Sequence, residues 1–164
     1  MIQSTLTHTE IQLAHYVGMR RAASSLVKGS SHAANITSGR PEYYYQMMGA
    51  MAEMAAAKAL GCYWPGSWDT YTRDGDITTR NGEKLEVRYR SKAHYDLLLK
   101  EDDCPERIYI LVTGAAPTFT LRGWIRGRDG MIQEYWRKVT DRPASYFVPQ
   151  SALRGFGKLE NIAA

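Results

Sequence analysis

Apolar positions recur at helical spacing over residues 9–27, where Ile11, Ala14, His15, Gly18, Ala22 and Leu26 share one side and Thr9 stands where an N-cap belongs. Residues 28–40 then turn to Gly, Ser, Ala, Asn and Thr, the composition of a loop. Pro41 marks a second helix start, and residues 42–60, rich in Ala and Met, run to a C-cap at Gly61. On that helix Tyr44, Met47, Met51, Met54 and Lys58 lie along one side; Gln46, Gly49, Ala50, Glu53, Ala57 and Leu60 lie along another. Glu53 therefore stands in a row of small residues, where a neighbouring backbone comes close and a carboxylate needs partners or a site.

Beyond the helices the period shortens. Residues 62–73 read as a loop around Trp64-Pro65-Gly66. Residues 76–79 and 84–90 read as two strands around Asn81-Gly82, a strong hairpin signal. The apolar run 107–113 predicts a buried strand. Residues 119–125 predict another, with Phe119, Leu121, Gly123 and Ile125 on one side, and residues 146–148 a short last strand before a helical turn near 151–153. There is no internal repeat. This order of elements fits a single α/β domain over residues 1–164, with a mixed central β-sheet flanked by helices. It divides into an N-terminal helix at 9–27, a core at about 42–125 and a tail at 126–164.

Length and composition agree with one domain. The chain has 164 residues, 44% hydrophobic and 23% charged, an ordinary balance for a globular protein with one sizeable core. No apolar run approaches the roughly 20 residues that cross a bilayer, and the first residues lack the order of a secretion signal, so a cytoplasmic location without membrane contact is expected. Cys62 and Cys104 have no metal-ligand spacing and read as thiols rather than a disulfide. The Met-rich side of the second helix suits either the core or a homo-oligomer interface, not a cofactor box. The net charge of +4 mildly favours a polyanionic partner. Placement says more than the total: arginines cluster at Arg20-Arg21, at Arg88 and Arg90 with Lys92, and at Arg122, Arg126 and Arg128, with Tyr89, Trp124 and Trp136 among them. Such interleaving suits phosphate and base contacts, and equally a solvated basic face.

The hairpin carries the candidate chemistry. A two-residue turn at Asn81-Gly82 would pair Asp76 with Val87 and Glu86 with Ile77. A three-residue loop, Arg80-Asn81-Gly82, would set Asp76 opposite Glu86 and Ile77 opposite Leu85. The second register is preferred because it joins apolar to apolar and acid to acid, with Gly82 left-handed in a G1 bulge. Two carboxylates held opposite each other repel unless a cation lies between them. Arg88 has the parity of Glu86 and projects from the same face. The triplet alone reads more readily as an exposed cross-strand salt bridge; Asp76 in register and Glu53 on its helix raise it to a candidate site.

Gly49-x-x-x-Glu53 on a helix, then Asp76-Ile77, then Glu86-Val87-Arg88, resembles the core of the PD-(D/E)XK nuclease superfamily, in its resolvase and phage-exonuclease branch. The resemblance covers roughly residues 45–92. It implies a restriction endonuclease-like fold and a Mg²⁺- or Mn²⁺-dependent nuclease acting on DNA. Asp76 and Glu86 would hold the metal, with the Val87 carbonyl as a further ligand and Glu53 completing the cluster directly or through water. Apart from the resemblance, the placement of basic residues makes Arg90, Lys92, Arg122 and Arg126 the expected DNA contacts. The N-terminal helix and the region around Trp124 are similar, more loosely, to small phage-encoded proteins.

One position departs from the superfamily pattern, with Arg88 where Lys is usual. Arginine stays protonated and cannot act as a general base, although it can neutralise a phosphate. A non-catalytic nucleic-acid-binding protein and a phage accessory protein with a remnant acidic cluster therefore stay open beside the nuclease. His8, His15, His32 and His94 show no ligand spacing, Asp102-Asp103 reads as a solvated turn, and Gly123-Trp124 reads as packing. No glycine-rich phosphate loop points to nucleotide triphosphate hydrolysis.

Overall fold

A computed structural model describes residues 1–27, 41–68, 75–139 and 143–158. The expected loop at 28–40 and the end of the loop at 62–73 lie outside the described residues. A short strand that helical periodicity gives no hint of comes first, β1 (Ile2–Thr5). Helix α1 (His8–Val27) follows. Its cap is Thr7, not Thr9. The Thr7 amide donates to Glu10 Oε2 at 2.6 Å, and the Glu10 amide donates to Thr7 Oγ1 at 3.3 Å. This capping box satisfies two of the amides a helix start leaves unpaired. The buried stripe of α1 is Ala14, Val17, Gly18 and Ala22, while His15 and Leu26 are exposed.

Helix α2 (Glu42–Leu60) has the expected bounds, with Gly61 left-handed at φ 62° and the Cys62 amide donating to Ala57 O at 2.9 Å. The two-faced reading of α2 does not hold. Every residue from 50 to 57 is buried, because α2 lies between α1 and the sheet. Met48, Met51 and Met54 are core residues. The helices approach closely at Gly18, where an added Cβ would sit 2.5 Å from Met47 Cα.

The remaining strands are β2 (Ile77–Thr78), β3 (Lys84–Arg90), β4 (Leu97–Leu99), β5 (Ile108–Ala115), β6 (Thr118–Arg126), β7 (Trp136–Arg137) and β8 (Ser145–Val148). A one-turn helix, α3 (Gly127–Gly130), follows β6. Five strands form a mixed sheet in the order β1-β6-β5-β3-β2, in which β3 and β5 are parallel and the other pairs antiparallel. The crossover between the parallel strands carries β4 and no helix. Strands β4, β8 and β7 form a second, antiparallel sheet. The chain is thus one mixed α/β domain, and the described residues of its tail are built into the fold.

The central sheet divides two cores. Leu85, Val87, Ile110, Val112, Phe119 and Leu121 face α2, whereas Tyr109, Leu111 and Ile125 face Leu97, Leu99 and Val148 of the smaller sheet. Covered on both sides, β5 reads as an unbroken apolar run. β6 does not keep one alternation to its end. Its pairing jumps from Leu111↔Gly123 to Val112↔Leu121, leaving Arg122 as the extra residue of a bulge. The bulge reverses the parity, so Trp124 joins Phe119 and Leu121 on the helix side and Ile125 faces the other way. Trp124 is therefore a core residue, not an exposed aromatic among arginines. Gly123 allows the close approach of Leu153, whose Cβ would lie 2.8 Å from an added Cβ. Among the described residues no helix is long and apolar enough to cross a membrane.

Candidate active site

The hairpin adopts the three-residue loop. Ile77 pairs with Leu85, the Thr79 amide donates to Glu83 O at 3.0 Å, the Gly82 amide donates to Thr79 O at 3.0 Å, and Gly82 has φ 82°. The regular ladder stops at Ile77, one residue short of a direct Asp76–Glu86 pair. The Asp76 amide donates to Leu85 O at 2.9 Å, and Asp76 Oδ2 accepts the Val87 amide at 2.7 Å. Asp76 thus takes the place of a ladder partner at the sheet edge, where β2 has left β3.

The three acids are distributed about that edge. Glu53, on α2, lies on the helix side of the sheet. Glu86 alternates with Leu85 and Val87 and so projects from the opposite side, beside Tyr109 of β5. Asp76 feels both. Loss of hydration, then the charges of Glu53 and Glu86, push its carboxyl well above the usual range, against the Val87 hydrogen bond and Arg88.

Each outer acid is met by arginine. Arg21 of α1 grips Glu53 through both nitrogens of its fork, Nη1 to Oε1 at 2.5 Å and Nη2 to Oε2 at 2.9 Å. Trp64 Nε1 adds a bond to Oε2 at 3.0 Å, and Arg21 Nε donates to Ser67 O at 2.9 Å. Glu86 Oε1 accepts Arg107 Nη1 at 2.6 Å, while its Oε2 lies 3.9 Å from Arg88 Nη1. Arg88 donates through Nη2 to Asp103 Oδ1 at 2.7 Å and lies over the Tyr109 ring at 5.1 Å. Burial opposes the Arg88 charge, but Asp103, Glu86 and Asp76 outweigh it and raise its pKa. Asp103 is therefore a partner of the site rather than part of a solvated turn.

Sequence reasoning assigned none of Arg21, Trp64, Asp103 and Arg107 to the site: Arg21 was read only as part of a basic cluster with Arg20, and Asp103 as a solvated turn. For Arg21 a signal existed: it continues the spacing of Ala14, Val17 and Gly18, so it enters the buried stripe of α1. A cation there requires an acid, and Glu53 on its small-residue row is the matching demand. Nothing comparable marks Arg107 or Asp103, which meet β3 through the crossover.

The donor set suits a hard divalent cation in part. Asp76 supplies a carboxylate, and strand geometry turns the Val87 carbonyl to the same edge as its amide. Glu86 Oε2 is the neighbouring oxygen held only at longer range. Glu53, with both oxygens engaged, fits contact through water better than direct ligation. Among the described residues no three His, Cys, Asp or Glu side chains gather as a ready metal group.

The other basic residues separate. Arg126 donates to Glu106 O at 2.6 Å and approaches Glu83 at 3.4 Å, near the start of β3. Arg90 and Arg122 lie near its other end: Arg90 pairs with Thr113, whose Oγ1 accepts Arg122 Nε at 2.8 Å. No family model, curated protein or solved structure matches this chain.

Proposed function

We propose that the protein is a Mg²⁺- or Mn²⁺-dependent nuclease that hydrolyses phosphodiester bonds in DNA, on a core resembling the PD-(D/E)XK type. One observation carries this reading: Asp76 is fastened to the Val87 amide at the sheet edge, next to Glu86, with Arg88 two residues further on. A divalent cation at Asp76 and the Val87 carbonyl would polarise a phosphoryl oxygen and make bound water a nucleophile near neutral pH. Within the chain, Arg88 neutralises charge on the phosphate. It cannot take a proton, and Asp103 and Tyr109 hold it beside Glu86. Glu53 orients water from the helix side while Arg21 and Trp64 fix both its oxygens. A cytoplasmic location and a phage origin belong to the same proposal.

A specific observation favours a second reading, a DNA-binding protein without catalysis. The charges of Glu53 and Glu86 are already met by Arg21 and Arg107, so the cluster holds together through its own ion pairs. Incubating linear, nicked, single-stranded and branched DNA with the protein, with and without Mg²⁺ or Mn²⁺, separates the two. Metal-dependent cleavage lost in Asp76→Asn and Glu86→Gln supports the nuclease. Binding without cleavage on every substrate supports the second reading.

A further inference from the structure

Past Glu86 and Arg88, strand β3 runs on to Arg90 and into a turn that holds Lys92, His94 and Tyr95. Arg90 shares the face of Arg88, two residues or about 6.6 Å along the strand. Its guanidinium lies over the Tyr95 ring at 4.8 Å, the Lys92 ammonium lies 5.8 Å from the same ring, and His94 meets it edge to face at 4.9 Å. Across the sheet the row continues through Thr113 to Arg122. The turn is fixed from outside: Gln150 Nε2 donates to Ala93 O at 2.7 Å and to Tyr95 O at 2.9 Å. Lys92 and His94 are exposed and Tyr95 is half-buried. Cations and rings are thus presented together on a pinned turn.

We infer that this turn is a stacking platform for an unpaired DNA strand, so that the substrate of the proposed site is single-stranded DNA or a strand end rather than closed duplex. The inference rests on the nuclease reading for its direction, since the platform continues the β3 face that carries Glu86 and Arg88. Unpaired bases can stack on Tyr95, His94 and the Arg90 guanidinium plane, while Lys92 and Arg122 take phosphates. Bases inside a duplex have their faces covered by one another and cannot use such a platform.

Fluorescence anisotropy in EDTA tests this without cleavage entering. The probes are labelled dT20, a duplex of the same length and rU20, with variants checked for unchanged thermal melting. The expected result is tighter binding of dT20 than of duplex. Tyr95→Ala weakens dT20 binding about tenfold and duplex binding hardly at all, and Tyr95→Phe restores it. His94→Ala, at an exposed position, weakens it less in the same direction. Lys92→Ala makes the negative slope of log affinity against log salt for dT20 shallower by about 0.7. Equal binding of dT20 by wild type and Tyr95→Ala, a preference for duplex or rU20, or no binding at all overturns the platform. Ring-dependent binding of dT20 by a protein that cuts nothing with Mg²⁺ or Mn²⁺ supports the platform and removes the nuclease, so the two failures are distinct.

Discussion

Asp76 Oδ2 accepts the Val87 amide at 2.7 Å, which seats a carboxyl group at the edge of the central sheet in the place of a strand neighbour. Lost hydration and the charges of Glu53 and Glu86 raise its pKa in the fold above the unfolded value of about 3.9. Below the unfolded value Asp76 is protonated in both states and carries no penalty. As pH rises towards the folded value, stability is lost, because the unfolded chain releases the proton more readily. Asp76→Asn should therefore be more stable than wild type at pH 7, with a gain that disappears towards pH 3. Denaturant midpoints across that range check it. A difference independent of pH would show that the carboxyl charge is not the cause.

Arg21 and Glu53 join α1 to α2 through a two-point ion pair in which the carboxylate is the more deeply buried partner. Removing the cation alone strands a charge. Arg21→Met should cost about 3 kcal/mol, the lower end for a buried pair because the Arg21 side chain keeps some solvent. Arg21→Met combined with Glu53→Leu should recover most of that loss. Urea unfolding of the single and double variants decides it, and a single-variant loss below about 1 kcal/mol would mean that water or Trp64 suffices.

Two helical glycines should respond with opposite signs. Alanine gains up to about 1 kcal/mol over glycine in a helix interior. At Gly49 nothing described lies within 4 Å of the added Cβ, so Gly49→Ala should show that gain. At Gly18 the Cβ would sit 2.5 Å from Met47 Cα and 2.8 Å from Gln46 O, backbone atoms that cannot swing aside. Overpacking costs of about 1–3 kcal/mol or more then win, and Gly18→Ala should lower the melting temperature. Equal shifts in both variants would refute the close helix contact.

The helices, the hairpin loop and the double-sided strand β5 were legible because each depends on local signals: Ala and Met propensity with Gly61, the Arg80-Asn81-Gly82 turn, and a continuous apolar run. The strand β1 was not, since Ile2–Thr5 is four residues whose only reason to extend is the free edge of β6. The parity of β6 misled for a related reason. Nothing local in Phe119–Ile125 announces that Arg122 bulges; the shift is set by the opposite strand. For the candidate site, the register of Ile77 on Leu85 was readable, and so was the demand that Glu53 made for a partner. The identities of Arg107 and Asp103 were not, because long-range crossover geometry brings them to β3.

Metal should stabilise the protein if the cluster binds it. With free Mg²⁺ at about 100 times its dissociation constant, mass action adds about 2.7 kcal/mol. Repulsion of Asp76 by Glu53 and Glu86 is the term that a cation relieves. The melting temperature should rise with Mg²⁺ in wild type, and Asp76→Asn or Glu86→Gln should remove most of the rise. Glu53→Gln should keep part of it, since both Glu53 oxygens already face Arg21 and Trp64. Identical Mg²⁺ shifts in wild type and Glu86→Gln would count against metal at these residues.

Arg88 separates catalysis from binding. Its guanidinium bridges Asp103 at 2.7 Å and Glu86 at 3.9 Å while lying over Tyr109, so it is held in one place before any phosphate arrives. If it acts on the phosphate in the transition state, Arg88→Ala should abolish cleavage while weakening DNA binding only a few-fold, because one phosphate contact is a small part of the total. Arg88→Lys should keep cleavage, since an ammonium supplies the charge and matches the superfamily pattern, although it cannot reach both acids as the planar fork does. Asp103→Asn should lower the rate without changing the salt dependence of binding, because it loosens Arg88 and removes no phosphate contact. Single-turnover cleavage and equilibrium binding on one DNA substrate give all three comparisons. A wild type that binds tightly and cuts nothing, with Arg88→Lys equally silent, would assign these arginines and acids to holding the fold and the DNA rather than to breaking it.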